Sequence, residues 1–457
     1  MRNGRWWALA VLATGQLMVA LDATIVNIAL PAMQADLGFS DAGRQWVVTG
    51  YGLAFGSLLL LGGRLSDSFG RKRMLLIGFA GFAAASALGG AATGIEVLIA
   101  ARVSQGVFAA MVAPAALSLL SVTFTDPRER GRAFGIFGAV TGSGTAVGLL
   151  LGGALTEYAS WRWCLYVNLI FAAAGIAGAV LKLADVPGIR GGRLDWPGVL
   201  AAVAGLVALV YGLGEKSYAF APAGLAILVV FVLIERRAAH PLLPLRVVLD
   251  RNRGGAYLSV GIAGAGMFGM FLFVTYYLVG TLGFSAVRTG LAFLPMIVGI
   301  MLTAVTSGRR LTPRFGPRPV VTAGALIAAA GMVYLTRLAP DSTYLTGVLP
   351  GMVVVGLGLG MIFSPTQNAA TAAVPPHDAG VASAMINTAQ QIGGAAGTAL
   401  LTSVAISAAD DVYRTIFWWS AGFFLLCAAV SATTFRSGPL HLRPGTTEMV
   451  APAAADV

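Results

Sequence analysis

Apolar runs long enough to cross a lipid bilayer recur along almost the whole chain, and no other feature restricts its fold so strongly. A helix crosses the hydrocarbon core with about 20 apolar residues, and in that medium every backbone N–H and C=O must be bonded within the protein. Such runs lie at about 8–33, 45–63, 74–93, 97–121, 133–156, 163–182, 196–213 and 219–234. A second block follows at about 255–280, 289–307, 319–337, 346–370, 380–408 and 415–434. The pattern predicts an all-α integral membrane protein with fourteen transmembrane helices. The first run imitates a secretory signal, but it continues from Trp7 to Met33 without a small-x-small cleavage site. A retained first helix is therefore expected.

Charge supports the same reading. Only 11% of the residues are charged, against roughly 25% in a soluble domain. The net charge of +11 does not point to nucleic acid, because the basic residues sit in short loops and form no clustered face. With the N-terminus in the cytoplasm, 23 Lys and Arg fall in inner segments and 6 in outer ones, leaving Arg102 within a span. That asymmetry follows the positive-inside rule. It predicts a multi-pass protein of the bacterial inner membrane with both termini cytoplasmic. Residues 438–457 are rich in Pro, Ala and polar residues and are expected to be a disordered cytoplasmic tail.

Enzyme chemistry finds no support. Cys164 and Cys427 lie inside apolar runs without metal-ligand spacing, and are read as buried free thiols. His240, His377 and His441 fall in loops or the tail and compose no metal or nucleophile constellation. No cofactor, metal or nucleic-acid partner is expected.

The chain also repeats. Leu65, Phe69 and Gly70 match Leu311, Phe315 and Gly316 at a constant offset of 246. Two equivalent loops predict two six-helix halves, residues 1–190 and 241–437, with two inserted helices in 191–240. Parallel repeats of this kind place a substrate site near the midplane between the halves.

The Gly63–Arg73 segment resembles the signature that the major facilitator superfamily carries between spans 2 and 3. Span 1, from Leu21 and Asp22 through Asn27 to Pro31, is similar to the fourteen-span drug:proton antiporter family. So is Arg102–Gly106 in span 4. The resemblance covers essentially the whole chain. It implies the major facilitator fold and export of small lipophilic compounds (drugs, antibiotics or a secreted metabolite) by alternating access. The proton gradient would be the energy source, and the working unit a monomer. One departure concerns span 5, where Leu149 stands in place of the usual proline among Gly144, Gly148, Gly152 and Gly153. These glycines are expected to offer a flat packing face across the two halves, and the missing proline removes an expected bend.

Asp22 lies well inside a span, where an ionisable group is expensive and marks a functional site by default. Desolvation favours a protonated carboxyl and a nearby cation favours the ionised form, so movement between environments loads and releases a proton. The resemblance places the coupling carboxylate at the same position. The alternative is a permanent Asp22–Arg102 pair that only holds spans 1 and 4 together. Arg102 is read either as the tuner of Asp22 or as a buried anchor, with Gln105 and Gly106 assigned to packing. Gly63, Asp67, Gly70, Arg71 and Arg73 are candidates for conformational gating. In this reading Asp67 pairs with Arg130 or Arg132 or stabilises a helix N-terminus; in the other, the segment is only a basic topogenic loop.

The second half offers no clearly buried acid. Asn27, Gln367, Asn387, Gln390, Gln391, Tyr276 and Tyr277 are the candidate cavity residues, and Asn387, Gln390 and Gln391 share one helical face. Helix glue and core packing are the competing roles. Uptake by a symporter and a non-transporting membrane sensor remain the alternative functions.

Overall fold

The computed structural model describes residues 2–124, 127–185, 195–214, 219–238, 241–243, 245–339, 341–372, 374, 379–407 and 411–438. Of the predicted tail at 438–457, all but Gly438 lies outside them, as do His240, His377 and His441. Among the described residues there is no strand. The first half contains α1 (Arg2–Leu37), α2 (Asp41–Phe69), α3 (Arg71–Gly90), α4 (Ile95–Thr123), α5 (Pro127–Tyr158) and α6 (Trp163–Lys182). An additional pair follows, α7 (Trp196–Gly214) and α8 (Phe220–Arg237). The second half contains α9 (Arg251–Tyr276), α10 (Ala286–Thr306), α11 (Pro317–Leu335), α12 (Leu349–Thr371), α13 (Ala379–Ser407) and α14 (Val412–Thr434).

Among the described residues, eleven helical segments are long and apolar enough to cross a membrane, lying in α1–α4, α6, α7, α9–α12 and α14. The apolar stretch of α8 ends in Glu235, Arg236 and Arg237. The outward faces remain apolar too: Ile170, Leu181, Leu200, Leu302 and Ile406 are each more than 60% exposed. In water so continuous an apolar coat would drive aggregation; against lipid it carries no such cost. The chain is a multi-pass membrane protein.

The segment expected to be a loop after span 2 is almost entirely helical. α2 runs through Phe69, and one residue, Gly70 at φ 100°, separates it from α3. In the second half the helical run continues past α10 through a π-helical turn (Ser307–Leu311) and a short helix (Thr312–Phe315), and Gly316 at φ 83° alone separates it from α11. A side chain is strained at such positive φ, which is why glycine occupies both turns. The offset of 246 also relates Lys72 to Arg318. Lys72 Nζ donates to Leu183 O at 2.7 Å just beyond α6, and Arg318 donates to Ser437 Oγ at 2.8 Å just beyond α14. Packing repeats as well. A methyl placed on Gly106 of α4 would stand 2.5 Å from Tyr51 O of α2, and one on Gly356 of α12 would overlap Met296 O of α10.

The glycine stripe of α5 packs differently from expectation. Methyls on Gly144, Gly148 and Gly152 would meet Leu17 and Ala20, Leu21 and Thr24, and Ile25, all on α1 of the same half. Only Gly153 points across, 2.6 Å from Ala286 O of α10. The three residues repeat every four positions and so form one ridge, whereas Gly153 is rotated onto the neighbouring face. Leu149 is fully buried among second-half residues, its carbonyl against Gly290. Without proline, α5 runs unbroken from Pro127 to Tyr158. The halves also meet where α13 crosses α2, with Gln391 Cβ 3.0 Å from a methyl on Gly56. The α7–α8 pair covers this crossing through Leu206 and Val210, which cluster with Leu53, Ala395 and Ala399.

Candidate functional site

Asp22 sits in the core of the first half, fully buried, and four helices converge on it. Arg102 Nη1 of α4 donates to Asp22 Oδ2 at 2.6 Å. Gln105 Nε2, one turn along α4, donates to Oδ1 at 3.0 Å, and Asn168 Nδ2 of α6 donates to Oδ1 at 2.7 Å. Ser86 of α3 receives a second Gln105 amide bond at 2.7 Å. The Arg102 guanidinium is itself held on three sides. Its Nε donates to Val47 O at 3.2 Å, Nη1 also reaches Gln105 Oε1 at 2.8 Å, and the Tyr51 ring lies 4.4 Å below. A cation over an aromatic face gains most where water is excluded.

The sequence pairs Asp22 with Arg102, and the structure joins them. It adds Gln105, which is more than packing, together with Asn168 and Ser86. Gly106 does serve helix approach. Asn168 had a readable signal as a lone amide inside the α6 apolar run, and Gln105 lies at i+3 from Arg102, on the same face. Ser86 gave no signal among the small residues of α3.

Other predicted residues lie apart. Asn27 is buried on α1 and bonds Ala23 O of its own helix at 3.1 Å. Tyr277 is buried in the second half, its hydroxyl donating to Ala339 O at 2.7 Å and its ring edge-on to Tyr413. Gln367 and Asn387 are exposed, Gln390 is half-buried and Gln391 is buried at the α2–α13 crossing. Among the gating candidates, Gly63 has open room beside Pro114, Arg73 is exposed and Arg71 is half-buried. Arg132 lies 5.2 Å over the Trp6 ring of α1. The side chains of Asp67 and Arg130 lie outside the described residues.

A second polar cluster closes the two halves at the end opposite Gly70. Tyr276 Oη donates to Gln34 Oε1 at 2.7 Å, and the Arg44 guanidinium lies 4.0 Å from the Tyr276 ring centre. On the other side of the bundle Val287 N donates to Glu157 Oε2 at 2.9 Å. The Ser285 hydroxyl and the Val287 N–H hold the exposed Glu157 carboxyl below its ordinary pKa. This contact is therefore present above the usual carboxylate range and is lost as pH falls through the lowered value.

A bundle of membrane-crossing helices around a buried acid–base centre is the arrangement of a membrane transporter. The Major Facilitator Superfamily profile matches residues 12–398, and the chain belongs to that family. It is 52% identical over 414 residues to the puromycin resistance protein pur8 of Streptomyces alboniger, covering 88% of this chain and 82% of that one. It is 39% identical to the cephamycin export protein CmcT of Amycolatopsis lactamdurans, over 96% of this chain and 95% of the relative. The fold is similar to the crystal structure of a bacterial homolog of the human lysosomal transporter Spinster, in an inward-facing and occupied conformation. The TM-score is 0.67 at 15% identity, over 94% of this chain and 97% of that one.

Proposed function

We propose that this protein exports antibiotic-like, small lipophilic compounds through fourteen transmembrane helices, with both termini in the cytoplasm and protons entering as substrate leaves. The observation that carries the reading is Asp22, a fully buried carboxyl whose three bonds come from side chains on two other helices. The similarity to a puromycin resistance protein and a cephamycin exporter supports the direction and the substrate class. Asn168 supplies a further feature. Its Oδ1 is buried without a partner, so a half-turn of the amide would present an acceptor to a protonated Asp22 in place of the present donor. One amide thus serves both charge states.

The test is flux in inverted vesicles under an imposed proton gradient. Puromycin and a cephamycin, with other lipophilic antibiotics, should accumulate inside and leave when the gradient is collapsed. Accumulation unaffected by collapse would sink the antiport reading, and gradient-driven extrusion from the vesicles would favour uptake.

In alternating access the cluster at the far end acts as the outer gate. Gly290 packs against Leu149 O there, so a larger residue must separate α5 from α10. Gly290→Val is expected to shift the population outward-open. A cysteine introduced at Gln34 should then react several-fold faster with a membrane-impermeant thiol reagent in intact cells. An unchanged rate would show that this seam does not close the outer side.

A further inference from the structure

A second acid centre lies at the Gly70 end, where α7 begins and α8 finishes. Asp195 Oδ1 accepts from Gly198 N at 3.0 Å, and Glu235 Oε2 accepts from Leu243 N at 2.8 Å. Each carboxyl thus spends one oxygen on a backbone N–H. The remaining oxygens, Asp195 Oδ2 and Glu235 Oε1, are buried and accept nothing. They converge on one point: a methyl built on Gly198 would stand 2.5 Å from Oδ2 and 2.7 Å from Oε1. Glu235 as a whole is only 4% exposed. Two ionised oxygens so placed would repel each other and would each be left unsatisfied. Leaving a buried polar atom unpaired costs about 1–3 kcal/mol, and more when it is charged.

We infer that Asp195 and Glu235 hold one proton between them, bonded from one orphaned oxygen to the other, as a proton-binding site separate from Asp22. A single hydrogen satisfies both atoms and removes one of two like charges. Glu235 lies just beyond the apolar run of its helix, and its carboxyl is raised above the ordinary pKa, first by burial and further by the Asp195 charge. The Leu243 N–H opposes that rise. Among the described residues, the other nearby charges do not turn inward: Arg236 and Arg237 on α8 are exposed, and Arg64 of α2 donates to Pro241 O. The same contacts give the site leverage. Glu235 grips Leu243 while Arg64 grips Pro241, so the pair ties the connection after α8 to the end of α2. The site stands whether or not Asp22 drives transport.

The experiment is infrared difference spectroscopy of the purified chain, following the protonated-carboxyl stretch from mildly acidic to alkaline pH. The wild type should show a band that persists above the ordinary carboxylate range. E235Q and D195N should each remove it, because an amide N–H supplies the missing hydrogen, while D22N should leave it. Thermal unfolding gives an independent readout. A raised acid contributes stability below its unfolded pKa that is lost as pH rises through the folded one. The wild-type midpoint should therefore fall in that window, and the E235Q midpoint should not. The proposal is overturned if the band is absent from the wild type or survives in both variants. It is equally overturned if sodium, in place of a large organic cation at equal ionic strength, restores the alkaline midpoint, since the site would then hold a metal ion.

Discussion

Asp22→Asn is expected to reduce gradient-driven accumulation in inverted vesicles to the level seen without a gradient, while the protein still folds. The substitution keeps the shape of the side chain and removes the titratable oxygen. Arg102 would lose its counter-charge but keep the Val47 carbonyl, the Gln105 amide oxygen and the Tyr51 face. Arg102→Ala is the harsher change. Removing one partner of a buried ion pair typically costs about 3–5 kcal/mol, and the remaining carboxyl escapes part of that cost by taking up a proton. The decisive variant combines Asp22→Asn with Arg102→Gln. It leaves no net charge in the core, so the fold should recover much of the stability lost in Arg102→Ala. If the pair only holds α1 to α4, transport should recover with the fold. If Asp22 carries the proton, a stable double variant should still accumulate nothing. Thermal midpoints and flux measured on the same preparations separate these outcomes.

How much of this centre the sequence discloses depends on contrast. Asp22 and Arg102 stand out because charge within an apolar run has no cheap explanation, and their pairing follows almost by elimination. Asn168 carries the same signal more faintly. Gln105 shares a helix face with Arg102, but periodicity tells only which residues share a face, never which helix that face meets. The same gap explains the α5 glycines: their spacing announces close packing, yet nothing in it distinguishes α1 from the opposite half. Tyr276 and Tyr277 show the limit from another side. Adjacent at the C-terminal end of α9, where the helix runs on into a π-helical turn, one reaches Gln34 across the halves and the other is sealed within its own, because successive helical residues point about a quarter-turn apart. The repeat was readable at Gly70 and Gly316 because a positive φ leaves little choice but glycine. The Asp195–Glu235 pair was not, since its partners lie 40 positions apart at the borders of predicted spans.

The second large effect concerns two neighbouring glycines. Gly62→Ala should destabilise the protein severely, and Gly63→Ala should hardly change it. Gly63 begins the segment that resembles the superfamily signature, so sequence alone would rank it as the more important of the two. The packing reverses that order. A methyl on Gly62 would overlap Ala110 O of α4, whereas one on Gly63 would meet nothing nearer than Pro114 Cβ at 3.8 Å. Ala110 O is main-chain and cannot rotate away, so α2 and α4 would have to separate. The same crossing holds Tyr51 against Gly106, which adjoins Gln105 and lies one turn from Arg102, so separation would also loosen the Asp22 centre. Overpacking of this kind costs about 1–3 kcal/mol and occasionally more; a clash with backbone belongs at the upper end. Gly63→Ala should stay within about 0.5 kcal/mol, as substitutions away from packed features do. Midpoints and yields of folded, monodisperse protein would measure both. Equal tolerance would mean that α2 and α4 are less tightly joined than their carbonyl contacts require. The opposite order would return Gly63 to a role in conformational exchange that its open surroundings do not suggest.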